Sequence, residues 1–229
     1  MLDAVQKPKW GWIDLIIVYT GTLLLTLLGT AWIAHNRVDL FTYFTAGTLM
    51  QFIISVGLVL LLAVYIHKAR LSELGLKRAS GHDLLVYGLL GGFLLMVFMI
   101  LIGIPISRLQ PDVQPQVFEE MLRSVGQDWQ FFVLLFLGAV TAPISEELFY
   151  RGMLYPVFRG YLGPGWGAVT AGLIFGLAHW DLWRTIPLAI GGAALCYMYE
   201  KTGNIWVTML AHGTWNGLMS LMVYYNFLV

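Results

Sequence analysis

Hydrophobic residues run through this chain in long blocks rather than alternating with polar ones. Apolar stretches fall near 12–34, 41–67, 83–106, 130–155, 165–180, 185–200 and 205–227, parted by short polar or glycine–proline breaks. A bilayer core is crossed by a helix of about 20 apolar residues, and a helix satisfies its own backbone groups where lipid cannot. The pattern predicts an all-α fold, a polytopic transmembrane helical bundle of about seven membrane spans. With 59% hydrophobic and 11% charged residues and a mean hydropathy of +0.75, the composition excludes an ordinary soluble domain.

The breaks give the organisation. Between Pro111 and Trp129 a polar stretch carries Val117, Phe118, Met121, Leu122 and Val125 on one helical face, the pattern of a short interfacial helix or of an amphipathic connector. Gly163-Pro164-Gly165 marks a tight turn, and Gly172 and Gly176 stand at GxxxG spacing, which lets helices approach closely. Pro143 and Pro156 are candidate kinks. Residues 1–128 read as an N-terminal transmembrane scaffold of three spans plus the interfacial segment. Residues 129–229, where ionisable and amide groups enter the spans, read as the catalytic core.

The most basic loop, HKARLSELGLKR, decides orientation, because Lys and Arg mark the cytoplasmic side. It places the N-terminus inside and, after seven spans, the C-terminus outside. The polar start MLDAVQKPKWGW precedes an apolar run too long for a signal h-region, so no cleavable signal peptide is expected. Lone Cys196 excludes an internal disulfide and a thiolate metal cage. Zero formal charge without a basic patch gives nucleic-acid binding no support.

Ionisable groups at the centre of a membrane helix cost about 2.5–3.5 kcal/mol each on insertion scales, so those that occur there point to function. Glu146, Glu147 and Arg151 lie inside FFVLLFLGAVTAPISEELFYRGMLY. Glu147 and Arg151 are spaced as a favourable helical pair. Glu146 lies about 100° away round the helix, so the two carboxylates are expected not to serve one point, leaving Glu146 free to act. A solvated helix end would carry the same three residues. Phe175 and His179 share one helical face, and so do His212 and Asn216 in the last span. An interfacial histidine or a helix-gluing amide would explain either pair alone. Glu146 and His179 each lie roughly 20–25 Å along a helix from the Gly163 turn, at compatible depths, and His212 lies on the same side.

A carboxylate beside an imidazole can activate water, and an imidazole with an amide can donate to a developing oxyanion. Glu146, His179 and His212 are equally a two-histidine, one-carboxylate set for a divalent metal such as zinc, although the H-E-x-x-H helix is absent. The motifs EELFYR, FGLAH and HGTWN, in this order, resemble the type II CAAX prenyl endopeptidases within the wider CPBP (Abi-type) intramembrane proteases, over about 129–220. The resemblance implies that Glu146 and His179 activate the water and that His212 and Asn216 form the oxyanion hole. It makes Glu147 with Arg151 the supporting pair. It also implies a membrane-associated peptide or protein substrate, a lipid bilayer as surroundings, and the cell membrane of a prokaryote as location. Eight spans are proposed for eukaryotic-type members, one more than are read here. Both metallopeptidase and metal-independent glutamate mechanisms are attached to the family, and the reading leans to the metal-free one. A non-enzymatic immunity, chaperone-like or transporter protein is the competing class. Against a transporter stand the lack of a two-half repeat and polarity confined to the second half of the chain.

Overall fold

The computed structural model describes residues 7–110 and 114–227. The first six residues of the polar N-terminus, Pro111 at the start of the polar stretch and the last two residues lie outside the described residues. All regular structure among the described residues is helical. Helix α1 is Trp12–His35 and α2 is Leu40–Ile66, followed by a single 3₁₀ turn, Leu71–Leu74. Helix α3 covers 81–109 and α4 is Val117–Ser124. Helices α5 (128–162) and α6 (164–177) meet at Gly163, and α7 (Leu182–Thr202) and α8 (Ile205–Tyr224) complete the bundle.

Polar contacts collect at two opposite ends. At the end holding Trp10, Lys9 Nζ donates to the Lys68 carbonyl (3.0 Å) and to Glu73 Oε1 (3.1 Å). There too Asp14 meets His67 at 2.9 Å, and Arg159 grips Glu200 through Nε (2.7 Å) and Nη2 (2.9 Å). At the other end Tyr224 Oη donates to Asp128 (3.3 Å), and Arg184 donates to the Gln114 carbonyl (2.9 Å). All helices but α4 run alternately between these ends. Among the described residues four stretches are long and apolar enough to cross a membrane: Trp12–His35, Leu40–Ile66, Gly81–Ile106 and the 50-residue Asp128–Leu177, which is α5 plus α6. The chain is an integral membrane protein built as an all-α bundle.

The Gly163 turn stands as the sequence predicts. Its φ of +75° is a conformation glycine adopts without steric penalty, and Pro164 then opens α6. Gly172 and Gly176 serve the expected close approach. A Cβ on Gly172 would lie 2.3 Å from the Ala189 carbonyl oxygen, and one on Gly176 2.5 Å from that of Thr185. Backbone therefore touches backbone along α6 and α7.

Helix α4 is amphipathic and buries Met121 and Leu122 against Phe131, Leu134, Leu137 and Val223. Its apolar face is narrower than the sequence suggests, since Val117 is 59% exposed and Val125 is already extended. The larger surprise is α5, where two π segments, Leu137–Thr141 and Leu148–Leu154, flank the α-helical turn Ala142–Glu147. Pro156 follows the second π segment as Pro143 follows the first, and the helix continues through both.

Candidate active site

Pro143 explains the first π segment and the position of Asn216 together. In i→i−5 bonding the Ala142 N–H donates to the Leu137 carbonyl, and the next residue would donate to Gly138. That residue is proline and has no N–H, so the Gly138 carbonyl is left without its helical partner. Asn216 Nδ2, from α8, donates to it instead at 3.1 Å. One cross-helix hydrogen bond fixes α8 against the stretch of α5 that leads into Glu146.

Below it, Glu147 and Arg151 are both completely buried and paired at 2.6 Å (Oε1 to Nη1), as their spacing predicts. Arg151 Nη2 also donates to the Gly192 carbonyl of α7 at 2.9 Å, and its guanidinium lies 4.9 Å from the centre of the Phe175 ring. Removing either partner would strand a charge in the core, a loss of about 3–5 kcal/mol.

The same Glu147 oxygen receives His212 Nδ1–H at 2.8 Å. An ionised carboxylate held by an arginine accepts and does not donate, so the Nδ1 proton is fixed. The opposite ring nitrogen, Nε2, is 3.8 Å from Glu146 Oε2. One ring therefore links two carboxylates that reach separate atoms. They do diverge round the helix, but the imidazole is long enough to present one nitrogen to each. The arrangement also restricts His212 as an oxyanion donor: with Nδ1–H given to Glu147, Nε2 donates only in the imidazolium form.

His179 follows the same logic. Its Nδ1 is 2.8 Å from the Phe175 carbonyl oxygen, an acceptor only, so Nδ1 carries the proton and the neutral ring keeps its Nε2 lone pair. Phe175, 1% exposed, sits at the centre. Its ring makes edge contacts with His179 (4.9 Å), His212 (5.7 Å) and Tyr150 (5.1 Å) between centroids. A ring locked on so many sides orients both histidines by packing.

Two cavities converge here. The first, of about 500 Å³, is lined by Glu146, His179, His212 and Asn216 together, with apolar walls such as Phe118, Met99 and Trp215. The second, of about 450 Å³, is enclosed by α1, α2, α5 and the residues that follow α6. Glu146, His179, Ser145 and Gln51 line both, so Glu146 stands at their junction. The structure thus brings the four residues of the sequence-derived catalytic set to one cavity, with Phe175 in its wall and Glu147 and Arg151 packed behind.

Three features were missed. Gln51, an amide halfway along an apolar span, was a visible signal. Thr22 and Thr26 were not, because membrane-helix threonines usually bond their own backbone. They show that polarity facing the site is not confined to the second half of the chain. Glu119 and Gln116 also line the first cavity, so the α4 segment is part of its wall. Among the described residues no three His, Cys, Asp or Glu side chains form a group able to hold a metal ion. The tautomers leave both Nε2 atoms able to ligate, but the set Glu146, His179 and His212 does not converge as a metal cage would need.

Fold and site together define a class: an integral membrane helical bundle with a buried Glu/Arg/His network opening on a cavity. Residues 128–218 match the sequence model of a family described as "Type II CAAX prenyl endopeptidase Rce1-like", the stretch that carries the motifs EELFYR, FGLAH and HGTWN. The chain is also 23% identical over 90 residues to "Putative membrane peptidase YdiL" of Bacillus subtilis (strain 168), a match covering 39% of this chain and 37% of that protein. The aligned part thus spans little more than a third of that relative. No solved structure matches.

Proposed function

We propose that the protein is a membrane-embedded endopeptidase that hydrolyses a peptide bond of a membrane-associated protein or peptide. One observation carries it. Glu146, with 29% of its side chain exposed, stands at a cavity junction facing the Nε2 edge of an imidazole whose other nitrogen is tied to a buried carboxylate. A network that orients an imidazole and leaves a carboxylate open is a general-base arrangement.

In this reading Glu146 takes one proton from a water whose oxygen attacks the scissile carbonyl carbon. His179 Nε2 accepts the hydrogen bond of the water's other proton. The developing oxyanion is met by protonated His212 Nε2–H and by the amide hydrogen of Asn216 not given to Gly138. As the C–N bond breaks, the proton held by Glu146 passes to the leaving nitrogen, and the new acid releases its proton to His179. No step runs through a metal. The bundle spans the cell membrane of a prokaryote seven times with its N-terminus in the cytoplasm, the basic loops 68–78 lying on that side. The test is cleavage of a panel of quenched-fluorescent peptides and of a detergent-solubilised membrane protein by the purified chain. The wild type cleaves at least one of them, and Glu146→Gln cleaves none above background. Equal turnover by both proteins would remove Glu146 from the mechanism.

A further inference from the structure

Thr20, Thr30 and Thr48, in α1 and α2, each donate their hydroxyl to a carbonyl one turn earlier, at 2.7, 2.8 and 2.9 Å. That is the ordinary state of a threonine in a membrane helix. Thr22 and Thr26 depart from it, as does Thr45 of α2, which lines neither cavity. The Oγ1 atoms of Thr22 and Thr26 are buried yet have no hydrogen-bond partner among the described residues, although the carbonyls of Val18 and Thr22 lie one turn back on the same helix. Both residues, one helical turn apart on α1, line the second cavity, and the buried Ser55 of α2 lines it with them. Buried hydroxyls left unbonded are costly, and each needs an explanation. Gln51 continues this polar file to the junction, where it lines both cavities beside Glu146.

An extended polypeptide drawn into an apolar bundle faces the complementary problem. Its N–H and C=O groups lose water and must find partners inside the protein. A hydroxyl both donates and accepts, so a file of hydroxyls suits a peptide backbone whatever its side chains. It offers nothing to a hydrocarbon chain. We propose that Thr22, Thr26, Ser55 and Gln51 form a backbone-binding subsite that guides the substrate, as an extended peptide, from the second cavity past Glu146 into the first. The inference rests on the peptidase reading and names what that reading leaves open: the substrate conformation, and a part of the recognition surface outside the matched residues 128–218.

The test uses the full chain in detergent and whichever peptide the wild type cleaves. Thr22→Val and Thr26→Val keep shape and remove the hydroxyl. Each should raise KM about three- to tenfold with kcat changed by less than about twofold, and Thr→Ser at either position should restore KM. Thr20→Val and Thr30→Val, which remove hydroxyls already bonded, should leave KM unchanged. A binding arm separates this proposal from the hydrolysis it builds on. Affinity of a dye-labelled apolar peptide for Glu146→Gln protein is compared with that of its backbone N-methylated analogue. The N-methylated form should bind more weakly to Glu146→Gln, and the difference should shrink when Thr22→Val and Thr26→Val are added. If no peptide is cleaved but this pattern holds, the subsite stands and hydrolysis falls. If the Val variants cleave and bind as the parent does, or lose kcat instead of affinity, the subsite is wrong.

Discussion

The Glu147 carboxylate is shared by Arg151 and His212 and has no exposure to solvent; Glu146 beside it faces the Nε2 edge of His212 and an open cavity. Adjacent identical residues therefore carry different expectations. Arg151→Ala strands the buried Glu147 charge and should lower unfolding stability by about 3–5 kcal/mol, measured by chemical denaturation in detergent. Glu146→Gln should change stability by no more than about 0.5 kcal/mol, as substitutions at partly open sites do, while abolishing turnover. At this scale the sequence was informative: helical spacing alone pairs Glu147 with Arg151. It could not show His212 bridging both carboxylates, because the angle round one helix says nothing about a ring arriving from another. Nor could it single out Thr22 and Thr26 from Thr20 and Thr30 of the same helix, which are self-bonded.

Helix α5 shows how a proline can be absorbed without a broken site. Pro143 leaves Gly138 without a donor, the helix widens to π bonding, and Asn216 supplies the missing hydrogen bond from α8. Asn216→Ala should then cost about 1–3 kcal/mol for the orphaned carbonyl in addition to any loss of oxyanion stabilisation. Pro143→Ala returns an N–H to the helix. Denaturation of the two single variants and the double variant should show a smaller Asn216→Ala penalty in the Pro143→Ala background. Equal penalties in both backgrounds would show that the proline is not what makes Asn216 structurally necessary. If kcat falls about 10²- to 10³-fold in Asn216→Ala beyond what its stability loss explains, the amide also serves the oxyanion. The Gly163 turn and the Gly172–Gly176 contact were legible because each needs a residue without Cβ. The π segments were not, since i→i−5 bonding leaves no spacing of its own among uniformly apolar residues.

At the scale of the whole molecule, hydropathy gave the bundle and its breaks. The cavities were hidden, because they arise where α1, α2 and α4 close over α5, α6 and α8. Sequence treated 1–128 as scaffold, yet its Gln51 and Glu119 face the same space as Glu146. A glutamate–histidine mechanism predicts that turnover survives exhaustive treatment with a strong chelator, with no stoichiometric zinc by elemental analysis. Activity lost on chelation and restored by one zinc per chain would instead make His179 and His212 ligands.

The central claim is that Glu146 activates water for direct attack on a peptide bond. Cleavage of the responsive peptide in heavy-oxygen water tests it most directly, with wild type and Glu146→Gln compared at matched melting temperatures and the products weighed by mass spectrometry. The account predicts one heavy oxygen in the new carboxylate from a single wild-type turnover, no covalent acyl adduct on the chain at any time, and no product from Glu146→Gln. An acyl adduct trapped on the wild type, or normal product release by a well-folded Glu146→Gln protein, would contradict it.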